Sequence, residues 1–433
     1  MARAEIISIG DELTSGQRLD TNSKWLSERL GDLGVKVVFH TTVGDTMEDN
    51  VDAFRTAVRR ADIVLATGGL GPTADDLTRE AISAAFDAPL ELQAAALQHI
   101  ESLFAMRKRP MPERNRVQAM FPKGSRIIDN PHGTAPGIDL ELDAVRTAGS
   151  RSSRIFALPG VPAEMTQMYR ESVEPRLIHE MGLGQKRWFY HCIKLFGIGE
   201  SDVEKKLPDL IRRDRDPLVG ITVSKATITL RIAALCETQA AFEKKIQPTV
   251  DQIHDQLGLL IFGQGDIELN DATHALLLDR CVSLGLIEVG SSSRIQKWLA
   301  DRADQREYGL QAARWFPTLA CLMKTIPPGQ TVTLDCNEDK PANPMATQLA
   351  TAAECMRQQL DLDLCLAVGV YPTYESVVSS TSLPTSEFHY ALARQGKNVK
   401  HTSITLGAHP EVLYHRLAKA GLNFLRLELL RHG

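Results

Sequence analysis

The sequence predicts an α/β protein whose first domain is a doubly wound, mostly parallel sheet. Three observations carry this. Short apolar runs at residues 5–10, 35–39, 63–66 and 154–158 have the length of strands and little polar alternation, as strands buried on both faces require. Helical stripes separate the first three runs, giving a β-α-β-α-β-α order with short connections. The run at 63–66 feeds directly into Thr67-Gly68-Gly69-Leu70-Gly71-Pro72-Thr73, a turn whose glycines let backbone approach a ligand with no Cβ in the way.

The first strand ends in Gly10-Asp11-Glu12-Leu13. Thr21 or Asn22 then opens a helix with the stripe Trp25, Leu26, Leu30 and Leu33, closed by Gly34. After the second strand, Thr46 with Asp49 reads as a capping box for a helix burying Val51, Phe54 and Val58. The glycine turn is expected to lead into a helix over 75–86, with Asp75 and Asp76 in its first turn. Amides and helix dipole at such a point favour an anion. Two carboxylates there are good helix-start residues; a phosphate bound beside them needs a cation in between. Ligands of open parallel sheets sit beyond the carboxyl ends of the strands, so Asp11 and the glycine turn are expected to face one pocket.

Residues 110–137 hold Asn115, Arg116, Gln118, Pro122, Gly124, Asn130 and Gly133-Thr134-Ala135-Pro136-Gly137. Such composition means turns, or a loop that reads a nucleotide or sugar. The strand at 154–158 ends in Pro159-Gly160-Val161-Pro162-Ala163-Glu164. Glu164 is open to two readings, a first-turn acid or a third pocket carboxylate.

From about residue 174 the pattern changes. A strand over 189–196 precedes a helix opened by Gly197-Ile198-Gly199-Glu200-Ser201, then a hairpin turns at Ser224-Lys225-Ala226. A helix over 239–257 is expected to break near Pro248, and a short strand follows at 259–262. The last part reads as a third α/β unit. It has a helix from Asp271, a strand at 286–289, and Ser291-Ser292-Ser293 as a helix start. Strands at 331–335 and 362–370 flank a helix over 343–360; a strand pair at 389–394 and 399–405 precedes a final helix over 409–430. The expected domains are 1–173, 174–265 and 266–433.

With 43% apolar and 24% charged residues over 433 positions, the chain is ordinary globular protein. Its net charge of −5 argues against a general nucleic-acid or membrane-surface role. Seven scattered cysteines without a CxxC pair fit a reducing compartment and neither disulfides nor zinc. With no signal peptide and no apolar run of membrane length, a cytoplasmic location is expected.

The first 170 or so residues resemble the CinA family (competence/damage-inducible CinA and CinA-like proteins). The resemblance rests on Gly10-Asp11-Glu12-Leu13, on Thr67 to Thr73 with Asp75, Asp76 and Thr78, on Asn130 with Gly133 to Gly137, and on Leu158 to Pro162 with Glu164. This part is also similar to the molybdopterin-binding fold of MoaB and MogA proteins, a three-layer α/β/α sandwich. Phe196 to Ser201 resembles the CinA middle domain. The resemblance implies a metal-dependent ADP-ribose pyrophosphatase in the N-terminal domain and a nicotinamide mononucleotide deamidase in the C-terminal one.

For the first activity the expected catalytic residues are Asp75, Asp76 and Asp11. Expected to bind substrate are Gly68, Gly69, Gly71, Pro72, Thr73, Thr78, Asn130, Gly133, Thr134, Pro159 and Gly160. Asp75, Asp76 and Glu164 are the expected metal ligands, for magnesium, manganese or cobalt, with potassium a further candidate. The deamidase motif Ala-Glu-Ser-Cys-Thr-Gly-Gly falls here on Ile287-Glu288-Val289-Gly290-Ser291-Ser292-Ser293, so Val289 stands where the resemblance places the nucleophilic serine. Its tyrosine is missing before Lys324, and Ala367-Val368-Gly369-Val370-Tyr371-Pro372 lacks the glycine run. The C-terminal domain therefore reads as a deamidase fold without its chemistry. Two alternatives stand beside the hydrolase: a non-catalytic pterin- or nucleotide-binding module, and a C-terminal domain kept as an oligomerisation or partner surface. The expected assembly is a homodimer.

Overall fold

The computed structural model describes residues 2–144, 152–212, 214–301, 308–330, 332, 334–335, 343–373, 386–406 and 410–431. They fall into two compact units: Met1–Phe189 with Leu235–Lys244, and Tyr190–Ala234 with Lys245–Gly433.

The first sheet uses β1 (Arg3–Ile9), β2 (Lys36–Val43), β3 (Ile63–Thr67), β6 (Arg126–Ile128), β7 (Gly137–Leu142) and β8 (Ser153–Leu158), in the order β2-β1-β3-β8-β7-β6. A separate ribbon pairs β4 (Leu90–Leu92) with β5 (Met120–Pro122). β2, β1, β3 and β8 run parallel, and β7 and β6 add on antiparallel. Both faces are covered. One core packs Ile7, Val64, Ala66 and Ile155 with Phe54, Val58, Ile82 and Ile100 of three helices. The other packs Ile6, Leu65 and Phe156 with Leu26, Leu30, Met165, Met168 and Leu177. This is the expected three-layer α/β/α sandwich.

Several details differ from the sequence reading. The helix Thr21–Asp32 is capped by Asp20, which accepts from the Ser23 amide at 2.9 Å. The Thr46 hydroxyl donates to Asp49 at 2.6 Å, so it caps no amide, and no capping box forms before Met47–Arg60. The stretch read as turns contains a 3₁₀ helix, Glu113–Ala119, besides β5 and β6. The helix Ala94–Met106 and strand β7 were not anticipated.

A four-stranded sheet follows, β9 (Arg187–Leu195), β10 (Leu218–Ser224), β11 (Thr227–Cys236) and β12 (Ile261–Gln264), ordered β10-β11-β9-β12. Contrary to expectation, the helix Gln239–Leu257 runs through Pro248. Its buried stripe of Phe242, Ile246, Val250, Ile253 and Leu257 outweighs the one backbone bond that proline removes.

The third sheet holds β13 (Ser283–Gly290), β14 (Gly309–Phe316), β15 (Leu334–Asp335), β16 (Leu364–Tyr371), β17 (Ser386–Arg394) and β18 (Val399–Leu406), ordered β14-β13-β16-β17-β18-β15. β14 was not anticipated. Thr331 and His409, expected in a strand and at a helix start, lie outside the described residues. Helices Leu269–Asp279 and Pro410–Arg431 pack one face, and Pro344–Gln359 the other. On β13, Glu288 is fully buried. It accepts the amides of Ile295 at 3.1 Å and Gln296 at 2.7 Å, and the Tyr371 hydroxyl at 3.1 Å. It thereby caps the helix Arg294–Ala300 from a neighbouring strand.

Burial pushes the Glu288 carboxyl from 4.5 up to about 7. The folded chain thus holds a proton that the unfolded chain releases near 4.5, and this contribution to stability fades as pH rises through that window. The Tm of the wild type relative to Glu288→Gln should fall from pH 4.5 toward pH 7 and then level off. A difference that stays constant across those pH values would contradict it.

Candidate functional site

The strand order reverses between β2 and β3 on either side of β1, where an open α/β sheet leaves a crevice. Beyond the carboxyl ends of β1, β3 and β8 lies a cleft of about 470 Å³. Register brings those ends level: Ser8 pairs with Thr67, and Thr67 with Leu158. Buried Asn22 then knits the loops, donating to Thr67 Oγ1 and to the Gly160 carbonyl at 3.0 Å each, while Thr67 donates to the Pro159 carbonyl at 3.1 Å. Gly68, at φ 109°, passes so close to β1 that a Cβ would stand 2.2 Å from the Ile9 carbonyl oxygen.

The glycine turn is held from beneath by its carbonyls. Thr78 Oγ1 donates to the Gly68 carbonyl at 2.8 Å. Fully buried Arg79 donates through Nη1 to the Gly71 carbonyl at 3.3 Å and through Nη2 to that of Leu70, which Gln118 also approaches at 3.4 Å. Among the described residues, the amides of Gly69 and Leu70 make no hydrogen bond. Burial lowers the Arg79 guanidinium to about 10, so it stays charged at neutral pH.

The helix after the turn is Thr78–Ala85, not 75–86, so Asp75 and Asp76 belong to the loop and not to a first helical turn. The loop forms because Asp76 accepts the amides of Gly71 at 2.8 Å and Thr73 at 2.9 Å, and the Thr73 hydroxyl. Asp76 is therefore committed to the turn. Asp75 is exposed and lines the cleft.

Of the other expected residues, Gly68, Gly69, Gly71, Pro72, Thr134, Pro159, Gly160 and Glu164 line the cleft. Asp11, Thr73, Thr78, Asn130 and Gly133 are not in its wall. Asp11 exchanges hydrogen bonds with Asp45, amide to carboxylate both ways, at 2.9 and 3.0 Å. Thr78 is spent on Gly68. Asn130, buried, donates to the Ala135 carbonyl at 3.0 Å and to Glu164 at 2.7 Å, and accepts the Gly133 amide at 2.8 Å. These three brace loops and leave the cleft to their neighbours.

The expected metal set of Asp75, Asp76 and Glu164 is not assembled: among the described residues no group of three or more His, Cys, Asp or Glu side chains is arranged to hold an ion. Sequence reasoning missed Arg18 and Asp45 and named Glu12 and Gln118 only as members of a motif and a loop; all four are in the cleft wall. Partial burial, and then the like charges of Asp11, Asp75 and Glu12, push the Asp45 carboxyl above its ordinary range. Among the described residues, Arg18 is the one basic side chain in the wall. In the third sheet, Val289 is fully buried, and Ser291 Oγ donates to the Pro372 carbonyl. No helix among the described residues is long and apolar enough to cross a membrane.

Residues 5–179 match the family model "Probable molybdopterin binding domain", and residues 191–263 match "Damage-inducible protein CinA KH domain". The CinA-like protein of Dictyoglomus thermophilum is 38% identical over 287 residues, covering 66% of this chain and 67% of that protein. A putative competence-damage inducible protein of Clostridioides difficile is 35% identical over 296 residues, covering 66% and 68%. That of Symbiobacterium thermophilum is 34% identical over 305 residues and covers 70% of each chain. Among solved structures, the CinA protein of Thermoplasma acidophilum, described as of unknown function, is 30% identical with a TM-score of 0.36, covering 40% of this chain and 98% of that one. The tungsten cofactor synthesizing protein MoaB of Pyrococcus furiosus is 20% identical with a TM-score of 0.29, covering 42% and 96%. At this level of identity, over two thirds of its curated relatives, the chain belongs to the family of CinA-like, competence-damage inducible proteins.

Proposed function

We propose that the cleft at the glycine turn is the site of a metal-assisted pyrophosphate hydrolase acting on ADP-ribose or a related nucleotide. The observation that carries this reading is the contrast between the two sides of the turn. Its carbonyls are drawn under by Thr78, Arg79 and Gln118, while the amides of Gly69 and Leu70 keep their donors. Fixed amide donors suit a phosphate, and they need no reorganisation when charge develops on it. Arg18 adds a cation on the same wall.

Beside these donors stand Asp75, Asp45 and Glu12, whose charges a diphosphate would not tolerate uncompensated. Among the described residues no all-protein metal cage is assembled, but magnesium is commonly held by one or two carboxylates and the substrate's own phosphates. The donor set fits that arrangement, with Asp75 and Asp45 as the residues that would hold the ion. Once bound, it would neutralise phosphate charge and lower the pKa of a water. Manganese and cobalt fit the same oxygen donors, and potassium would serve only as counter-charge. Attack by water on one phosphorus breaks the bridging P–O bond and releases AMP and ribose 5-phosphate. The proton lost by the attacking water passes to solvent, since Asp45 and Asp75 would be engaged by the ion.

The match to a molybdopterin-binding family model favours a second reading, in which the same donors hold a pterin or nucleotide without chemistry. The C-terminal domain, in this account, has lost deamidase chemistry, since Val289 is buried and Glu288 is occupied as a helix cap. It would serve as an assembly surface. A homodimer is expected, and light scattering that returns the monomer mass of 47.8 kDa would remove that part.

Purified protein with magnesium, manganese or cobalt should release AMP from ADP-ribose, and Asp75→Asn should lower turnover about 100-fold or more, the size of a lost charge-positioning group. Because Asp75 is exposed and its carboxylate meets only the Thr73 hydroxyl and its own amide, which hold its pKa below the ordinary value, its Tm should be nearly unchanged. Tight nucleotide binding with no product under any metal would establish the second reading instead.

A further inference from the structure

A cavity of about 740 Å³ opens at the other end of the third sheet from Glu288, where β13 and β16 begin and β17 turns into β18. Four cations, Arg280, Arg394, Lys397 and Lys400, and two carboxylates, Asp363 and Glu428, line it. The carboxylates are committed. Asp363 accepts the Ser283 amide at 2.8 Å and hydroxyl at 2.7 Å, and Glu428 takes Lys400 at 2.6 Å and Arg431 at 2.8 Å. The side chains of Arg280, Arg394 and Lys397 have no ion pair or hydrogen bond among the described residues. An excess of two positive charges is thus concentrated in one concave site of a chain whose net charge is −5. Uncompensated cations around a concavity focus a field that attracts an anion, and two of them are guanidinium forks, which match phosphate bidentately. The floor is different in character: Leu364, Leu392 and Leu429 are nearly buried and present apolar surface. A volume of this size, an apolar floor and a few convergent polar groups are the marks of a small-molecule site.

We propose that this cavity binds a phosphate monoester with a ring-bearing body, its phosphate held among Arg280, Arg394 and Lys397 and its body on the leucine floor. The site lies at the opposite sheet end from the buried Val289 and the degenerate motif around it, and it is independent of the glycine-turn cleft.

Exposed Cys281 in the cavity wall reports on occupancy of this site alone. Alkylation of the full chain by iodoacetamide would be followed at the Cys281 peptide by mass spectrometry, with AMP as probe. AMP at several times its dissociation constant should slow labelling about fivefold. Adenosine should protect less, and added salt should weaken the protection by AMP. The double variant Arg280→Gln, Arg394→Gln should lose the protection while keeping any ADP-ribose hydrolysis. Three results would overturn the proposal: equal labelling with and without AMP, protection by adenosine as strong as by AMP, or protection indifferent to salt and to the double variant.

Discussion

A buried guanidinium under the glycine turn is the constraint on which the N-terminal site depends. Arg79 has no exposure, and its charge faces the carbonyls of Leu70 and Gly71 and not a paired carboxylate. Leaving such a charge without partners costs far more than a hydrogen bond returns. The turn therefore adopts the one course that brings both carbonyls to Arg79. Thr78 anchors the two carbonyls before them, its hydroxyl taking that of Gly68 at 2.8 Å and its amide that of Gly69 at 3.1 Å. Those two carbonyls belong to the peptides that carry the Gly69 and Leu70 amides, so Thr78 orients the free donors directly and Arg79 sets the course of the turn that follows them.

The same logic extends along the sheet ends. Asn22 spans Thr67 and Gly160, Asn130 ties its own loop to Glu164, and the Asp11–Asp45 pair closes the loop after β2. Each is a short polar side chain in a position where a loop crosses a strand end. Gly68 completes the arrangement by permitting the turn to pass over Ile9. Rigid loops at the switch point of a parallel sheet give a site geometry before any ligand arrives.

Much of the fold was legible because the strands are short and continuous in apolar character. The runs at 63–66 and 154–158 became β3 and β8, and the two glycine-proline turns met in one cleft. What could not be read was which polar residues work inward. Asp76, Thr78 and Asn130 sit in motif positions and look like ligands, but one loop of backbone amides and carbonyls absorbs each of them. The inward role of Asn22 and Arg79, which the sequence reading did not assign, was legible. Asn22 precedes Leu26 and Leu30 at helical spacing, and Arg79 precedes Ile82 by three, so each polar residue stands on an apolar stripe. A polar group in such a position must find internal partners. Glu12, Arg18 and Asp45 carried no such mark, since their place in the wall follows only from tertiary packing.

That a buried guanidinium sets the course of the turn, and through it the anion site, is tested most directly at Arg79. Calorimetric titration of inorganic pyrophosphate would compare the wild type with Arg79→Met, which keeps the stem and removes the donors, and with Arg79→Lys, which keeps the charge but not the fork. Affinity should fall about tenfold or more in the methionine variant, the size of a lost charge-assisted hydrogen bond, with the lysine variant between. A folded methionine variant that binds pyrophosphate as the wild type does would contradict the account.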